Sequence, residues 1–389
     1  MMSIASKSTS VIVAGQTKSN RYREALQEFL NPADVLLNGA RAWDIRVRNE
    51  GFYSKILAGG SLAFGETYMD GWWDCDALDE LFDRLQQAMV RKKMKRPGKT
   101  IRAVLRAKLL NLQNSSKVVD VGGSHYNRTG ALYQTMLGKR MVYSGAYWKT
   151  ATDLDEAQEA KLDLICKKIM LEPGMRVLDI GCGWGSFAKY AAENYDVEVV
   201  GITVSEEQFK LGTEMCEGLP VELRLQDYRE IDEQFDRVVS VGMFEHVGAK
   251  NYKTFMKIVQ RCLVPNGLFL LHTIGALTTN KVIDPWFNKY IFPDSLLPSA
   301  RHITDVAEGL FIMEDWHNIG SDYDKTLMAW HANFQKGWDS LKSHFDERFY
   351  RMWKYYLLSS AGTFRARSSQ LWQIVFSVEG VKGGYQSIR

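Results

Sequence analysis

Cysteine is scarce. The 389-residue chain has five, at 75, 166, 182, 216 and 262, an odd number with no C-x-x-C spacing. That pattern argues against a disulfide framework and a zinc site, and fits reduced thiols in a cytosolic setting. Net charge is small too. The 49 Lys and Arg against 46 Asp and Glu leave +3, too little on its own to point to nucleic acid. No apolar run reaches the ~18 residues of a membrane span. The opening Met1–Lys18 is polar and serine-rich around a short Val-Ile-Val, without a signal-peptide core, and a loose tail is expected over residues 1–20. What is present, 46% apolar and 24% charged residues, is globular in composition. The length suggests about two or three domains.

The stretch that organises the rest is Arg176–Val177–Leu178–Asp179–Ile180–Gly181–Cys182–Gly183–Trp184–Gly185. Val177 to Ile180 reads as a buried parallel strand. Three alternating glycines then turn the chain into Ser186–Tyr195, where Phe187, Tyr190 and Ala191 recur at helical spacing. Glycine lets a ligand approach the backbone and the helix N-terminus. A turn that merely linked strand to helix would not need three. The dinucleotide fingerprint G-x-G-x-x-G/A is missing, because Ser186 holds the sixth place. The next strand end, Gly201–Ile202–Thr203–Val204–Ser205, has no ribose-binding acid. Asp179 followed by G-x-G-x-G instead resembles a class I methyltransferase that uses S-adenosylmethionine.

Before this stretch lies a separate block. Arg21–Leu30 has helical spacing and ends at Asn31–Pro32; Asp44–Val47 reads as a strand; Leu78–Met89 is an amphipathic helix. Between them, Ser61–Asp74 is dense in aromatics and acids. It reads either as a helix packing Trp and Tyr into a small domain or as an aromatic surface for lipid or a partner. Composition then changes. Arg91, Lys92, Lys93, Lys95, Arg96, Lys99, Arg102, Arg106 and Lys108 follow with no acid among them. A solvated linker explains such a run, and so does attraction to an anionic bilayer; no nucleic-acid motif accompanies it. The expected division is a tail over 1–20, an N-terminal lipid-binding or dimerisation domain over 21–90, a basic linker over 91–122 and a catalytic domain over 123–389.

After the glycine turn, strand and helix alternate: Val197–Ile202, Ser205–Cys216, Val221–Leu225, Phe235–Val241, Lys250–Cys262 and Leu268–Thr273, with Leu371–Val378 as a late strand closing the sheet. Alternation predicts an α/β, doubly wound, mostly parallel sheet with a smaller N-terminal α+β domain. Ligands in such sheets lie at the carboxyl ends of the strands. Asp179–Gly185, Thr203–Gln208, Asp227–Tyr228, Met243–Gly248 and His272–Ile274 therefore share one rim.

Three further motifs, with the glycine loop, make the resemblance specific: Tyr143–Ser144–Gly145–Ala146–Tyr147–Trp148, Gly242–Met243–Phe244–Glu245–His246–Val247–Gly248, and Leu271–His272–Thr273–Ile274–Gly275. From Asp44 through Phe376 the chain resembles the cyclopropane-fatty-acyl-phospholipid synthases, relatives of the mycolic-acid methyltransferases. The resemblance implies attack by the cis double bond of a phospholipid acyl chain on the methyl of S-adenosylmethionine. The resulting carbocation loses a proton from the new methyl as the ring closes. Such a site needs an apolar lining, for which Trp148, Phe244, Tyr290, Trp316, Tyr323 and Trp330 are candidates through cation–π contact. It also implies that a bound bicarbonate is the base, held by Glu245, His272, Ile274 through its backbone, Tyr323 and position 145. Cofactor contacts are implied at Tyr143 and Ser144 over the methionine end, and at Asp179, Gly181, Cys182 and Gly183 beneath it. Thr203, Val204, Ser205 and Gln208 are implied at the ribose, and Asp227 and Tyr228 at the adenine. The resemblance further implies an unsaturated phospholipid bilayer as partner, a homodimer, no nucleic acid, and a cytoplasmic enzyme peripheral to the inner face of the membrane.

Three departures stand out. Gly145 occupies a position that is cysteine in the family, Ser360 replaces a late cysteine, and Asn127 replaces the acid of a His-Tyr-Asp segment. Loss of both cysteines argues against a thiol nucleophile, and restoring cysteine at 145 is expected to be tolerated or to raise activity. Alternatives to cyclopropanation are a methyltransferase making methyl-branched lipid, and a membrane-binding homologue without catalysis.

Overall fold

The structure, a computed structural model, describes residues 19–91, 126–279 and 283–389, with backbone alone for 126–129. The tail over 1–18, the basic run after Arg91, Pro97–Gly98 and the Asn127 side chain lie outside the described residues. The chain forms two compact units. The first holds the N-terminal part together with 284–293 and 342–368; the second holds 122–283, 294–341 and 369–389. The two later excursions into the first unit were not legible as a boundary in the sequence.

In the first unit, β1 (Arg46–Val47) and β2 (Trp73–Asp74) pair antiparallel. Around them lie the helices Gly51–Met69, Leu78–Val90, Pro285–Tyr290 and Glu347–Arg365. Asp346 caps the last by accepting from the Phe349 N–H at 2.7 Å. Close approach between helices depends on small residues. A Cβ at Gly362 would stand 2.4 Å from the Asp79 carbonyl oxygen, and one at Gly65 would stand 2.3 Å from Cδ1 of Trp286. The aromatics of 61–74 pack inward, with Trp73 fully buried and its ring 4.4 Å from Phe64. Of the two readings of that stretch, internal packing is the one observed.

The second unit is built on a seven-stranded sheet in the order β5-β4-β3-β6-β7-β9-β8. The strands are β3 (Arg176–Ile180), β4 (Glu198–Thr203), β5 (Val221–Leu225), β6 (Phe235–Val241), β7 (Leu263–Ala276), β8 (Ile312–Asn318) and β9 (Ser369–Ser377). β3 to β7 run parallel; β9 is antiparallel to both β7 and β8. The late strand thus lies inside the sheet, and β8, unread in the sequence, is the edge. Alternation of side chains puts successive residues on opposite faces. Leu178, Val238 and Phe269 join the cluster under helices Tyr252–Cys262 and Ala300–Ala307. Val177, Val239 and Leu270 join the one under helices Leu154–Lys168 and Ser186–Tyr195. Both faces are covered, as parallel strands require. Among the described residues no helix is long and apolar enough to cross a membrane.

Candidate active site

Glycine sets the backbone where β3 ends. Gly181, Gly183 and Gly185 have φ of 82°, 57° and 77°, a region strained for any side chain. A Cβ on Gly181 would lie 2.6 Å from Cγ of Met243, whereas the space beside Gly183 is open. Asp179 is 1% exposed, and its Oδ1 has no hydrogen-bond partner among the described residues. Burial raises its pKa, with Lys161 acting the other way. Trp184 Nε1 is likewise buried and unpartnered. Orphaned polar atoms around an open glycine turn are what a polar ligand completes, so these residues fit the methionine end of S-adenosylmethionine. Cys182 is buried and its thiol is pushed well up by that burial, which removes it as a nucleophile.

At the end of β4, Ser205 caps helix Glu206–Met215, accepting from the Gln208 N–H at 3.3 Å. The Thr203 hydroxyl donates to Gln208 Oε1 at 2.8 Å, and Val204 is 75% exposed. Beyond β5, Asp227 accepts from the Arg229 backbone N–H and Nε, both at 2.9 Å. The Arg229 guanidinium holds its carboxyl below the usual range. Tyr228 packs edge-on against Phe255, 5.4 Å away.

Residues 143–148 are fixed by helix Gly320–Leu341. The Ala146 N–H and Trp148 Nε1 donate to Thr326 Oγ1 at 3.0 and 2.9 Å, and the Trp148 N–H to Asp322 at 3.0 Å. Aromatic rings connect this segment to the glycine loop. Tyr143 lies 5.4 Å from Trp330 and 5.0 Å from Tyr133, which lies 5.3 Å from Trp184; Tyr323 is 5.8 Å from Trp330. Ser144 adjoins Gly242, whose N–H donates to the His272 carbonyl at 2.9 Å.

Glu245 follows β6 on the short helix Phe244–Val247. Its Oε1 accepts from the Ile274 N–H at 2.6 Å, while its buried Oε2 has no partner among the described residues. Burial raises its pKa to about 7, against the Ile274 hydrogen bond. His272 is fully buried, and burial, with lesser contributions from Lys161 and Lys168, holds its pKa well below the usual value. The imidazole is therefore neutral. Its Nδ1 lies 3.3 Å from Gln373 Nε2, and its Nε2 is buried without a partner. Glu245 Oε2 and His272 Nε2 are both buried polar atoms that a small oxyanion such as bicarbonate can complete, the Glu245 carboxyl being about half protonated near pH 7.

Gly145 closes this side. Leu371 is the cross-strand partner of Ile274, and a Cβ on Gly145 would stand 2.5 Å from Leu371 Cδ2 and 3.0 Å from Tyr323 Cγ. A cysteine at 145 would need Leu371 Cδ2 and the Tyr323 ring to give way, which argues against the expectation that it is tolerated. Ser360 belongs to the first unit, on helix Glu347–Arg365, as does Tyr290. Of the proposed lining, Trp148, Tyr323 and Trp330 gather at 143–148. Phe244 is in the core, stacked 4.1 Å from Tyr252, and Trp316 packs against Trp372. Tyr133, Trp184, Gln373, Gln158 and Lys161 were not singled out from the sequence. For the last two a signal existed: they lie in phase with Leu154, Ala157 and Ile165 on the buried face of helix Leu154–Lys168.

Comparison with known proteins agrees with this layout. The family model described as mycolic acid cyclopropane synthetase matches residues 112–374. The chain is 52% identical over 370 residues to the cyclopropane-fatty-acyl-phospholipid synthase of Escherichia coli K12, covering 95% of this chain and 96% of that protein. It is 36% identical over 264 residues to a probable fatty acid methyltransferase of Pseudomonas putida, covering 64% of this chain and 67% of that protein. Among solved structures, mycolic acid cyclopropane synthase CmaA1 complexed with SAH and CTAB superposes with a TM-score of 0.60 at 32% identity, over 65% of this chain and 95% of that one. A family match over most of its length, joined to 52% identity along nearly all of it, makes the assignment plain: the chain belongs to the mycolic acid cyclopropane synthetase family.

Proposed function

We propose that this S-adenosylmethionine-dependent methyltransferase adds a methylene group across the cis double bond of unsaturated phospholipid acyl chains, forming cyclopropane fatty acids. The observation that carries the reading is the buried pairing of Glu245 with the Ile274 N–H beside His272, with Glu245 Oε2 and His272 Nε2 both unsatisfied. S-adenosylmethionine, when bound, supplies an electrophilic sulfonium methyl. Attack by the alkene pair on that carbon would break its bond to sulfur, and the cation left on the acyl chain would lose a proton from the new methyl, its C–H electron pair closing the ring. Bicarbonate, when bound, supplies a proton acceptor. Glu245, His272 and Tyr323 hold and orient it, with Ile274 fixing Glu245 and Gly145 leaving Tyr323 its place. Tyr143, Trp148 and Trp330 line the segment with rings that stabilise positive charge without capturing it.

Tyr143, Ser144, Asp179, Gly181 and Gly183 serve the methionine end, Thr203 and Gln208 the ribose, and Asp227 with Tyr228 the adenine. The basic run from Arg91 to Lys108 brings the enzyme to an anionic bilayer, at about 1 kcal/mol per basic residue near the surface; the working form is a homodimer at the inner face of the membrane. The test is expression in a host that lacks the activity, followed by lipid mass spectrometry with hydrogenation. Acyl chains that gain a methylene and resist hydrogenation support the reading. Chains that gain the same mass and then reduce are methylated alkenes, and unchanged lipid rejects both.

A further inference from the structure

Lys161 is a lysine in the wrong place for a lysine. It lies mid-helix with no exposure, so its ammonium does not reach water. Lysine is rarely buried to this degree unless paired, yet among the described residues no carboxylate lies within ion-pair distance. Its Nζ donates to Ser144 Oγ at 2.8 Å, the one acceptor it has among the described residues for three N–H donors. Burial lowers the pKa of Lys161 to about 7 and raises that of Asp179 to about 7, each opposed by the other through space, and neither side chain completes the other. One turn earlier, Gln158 is fully buried and donates through Nε2 to the Ser144 carbonyl at 3.0 Å, with its own Oε1 unsatisfied. One helix face therefore grips both the side chain and the backbone of a single serine. That serine lies beside Gly242, at the end of β6 next to β3.

A lysine buried without a counter-ion contributes nothing to folding that a methionine of similar length would not, so its burden belongs to function. We infer that Lys161 is a positioning residue of the methyl-donor site, holding Ser144 over the glycine loop. The inference rests on the reading of this loop as the S-adenosylmethionine site. It assigns the helix Leu154–Lys168 as the floor of the methionine end, with Gln158 as the second anchor.

The experiment is calorimetric titration of the full chain with S-adenosylmethionine, using wild type, Lys161→Met, Ser144→Ala and the double variant. Each is paired with a thermal melt and with turnover on vesicles of unsaturated phospholipid. Lys161→Met is expected to weaken donor binding about tenfold and to raise the donor KM in parallel, with kcat at saturating donor within about twofold. Its melting temperature should equal or exceed that of wild type. The double variant should bind no more weakly than the poorer single variant, since both act through one contact. Wild-type affinity in Lys161→Met, or additive losses in the double variant, overturns the inference. Should Lys161→Met fail to fold, Lys161→Gln is read by the same criteria, and failure of that variant too makes the lysine structural and overturns the inference. No binding by wild type would instead refute the donor-site reading.

Discussion

Adding a single methyl at position 145 should cost both stability and turnover. In Gly145→Ala the new Cβ would stand 2.5 Å from Leu371 Cδ2 and 3.0–3.1 Å from the Tyr323 ring. Both neighbours are buried, Leu371 at 1% and Tyr323 at 7% exposure, so neither can swing into solvent. Overpacking of this kind costs about 1–3 kcal/mol, with a melting temperature lower by about 2–4 °C per kcal/mol in a domain of this size. The strain also has a route to the chemistry. Leu371 is in register with Ile274, whose N–H fixes Glu245. Misplacement by 1 Å costs ~10²-fold, so a shift of a few tenths should lower turnover by ~3–10-fold. Gly145→Cys should behave the same way or worse. Shortening the obstructing side chain provides the control: Leu371→Val combined with Gly145→Ala should recover part of both losses. Thermal melts and initial rates on unsaturated vesicles read the outcome. A Gly145→Ala protein with wild-type melting and rate would refute the packing argument.

Asp179→Ala and Gly183→Val should each abolish S-adenosylmethionine binding in calorimetry, the first by removing a buried acid and the second by filling open space in a left-handed turn; unchanged affinity in both would end the donor assignment. Glu245→Gln should change the pH dependence of stability. The folded pKa of about 7 lies above the usual 4.5, so the neutral carboxyl favours the fold fully below 4.5 and that contribution is lost as pH rises through 7, about 3 kcal/mol in all. Denaturant unfolding at pH 5 and pH 8 should thus show the variant gaining on wild type by most of that amount, and an equal pH response in the two would count against it. His272→Ala should lower turnover by ~10²–10⁴-fold with donor affinity intact. Wild type in degassed buffer should slow and recover on adding bicarbonate, while equal rates would mean that a side chain takes the proton.

Some of this was legible early because it is local. The apolar run into alternating glycines fixes β3, its turn and its helix with little help from the rest of the chain. The rim also follows from strand order, which sets the ends of β6 and β7, and with them Glu245 and Ile274, side by side. Other features depend on tertiary contacts that a sequence does not display. Helix Gly51–Met69 continues through a kink at Gly60, held by packing on either side. β8 mixes Met, Glu, Asp, Trp, His and Asn, with no clean alternation, because it is an edge strand. Lys161 and Gln158 read as surface residues by type, although their phase with Leu154, Ala157 and Ile165 puts them on the inward face of their helix. Gly145 read as a lost cysteine, and its meaning became visible only with Leu371 and Tyr323 in place.

The central claim is ring closure, and the label in the transferred group tests it most directly. The full chain, supplied with S-adenosylmethionine deuterated at all three methyl positions and vesicles of cis-unsaturated phospholipid, should give product lipid that retains two of the three deuterons and resists hydrogenation. The third leaves as the proton that the Glu245–His272 site removes. Product that keeps all three deuterons and reduces on hydrogenation would show loss of a proton from the acyl chain instead, and would contradict cyclopropanation.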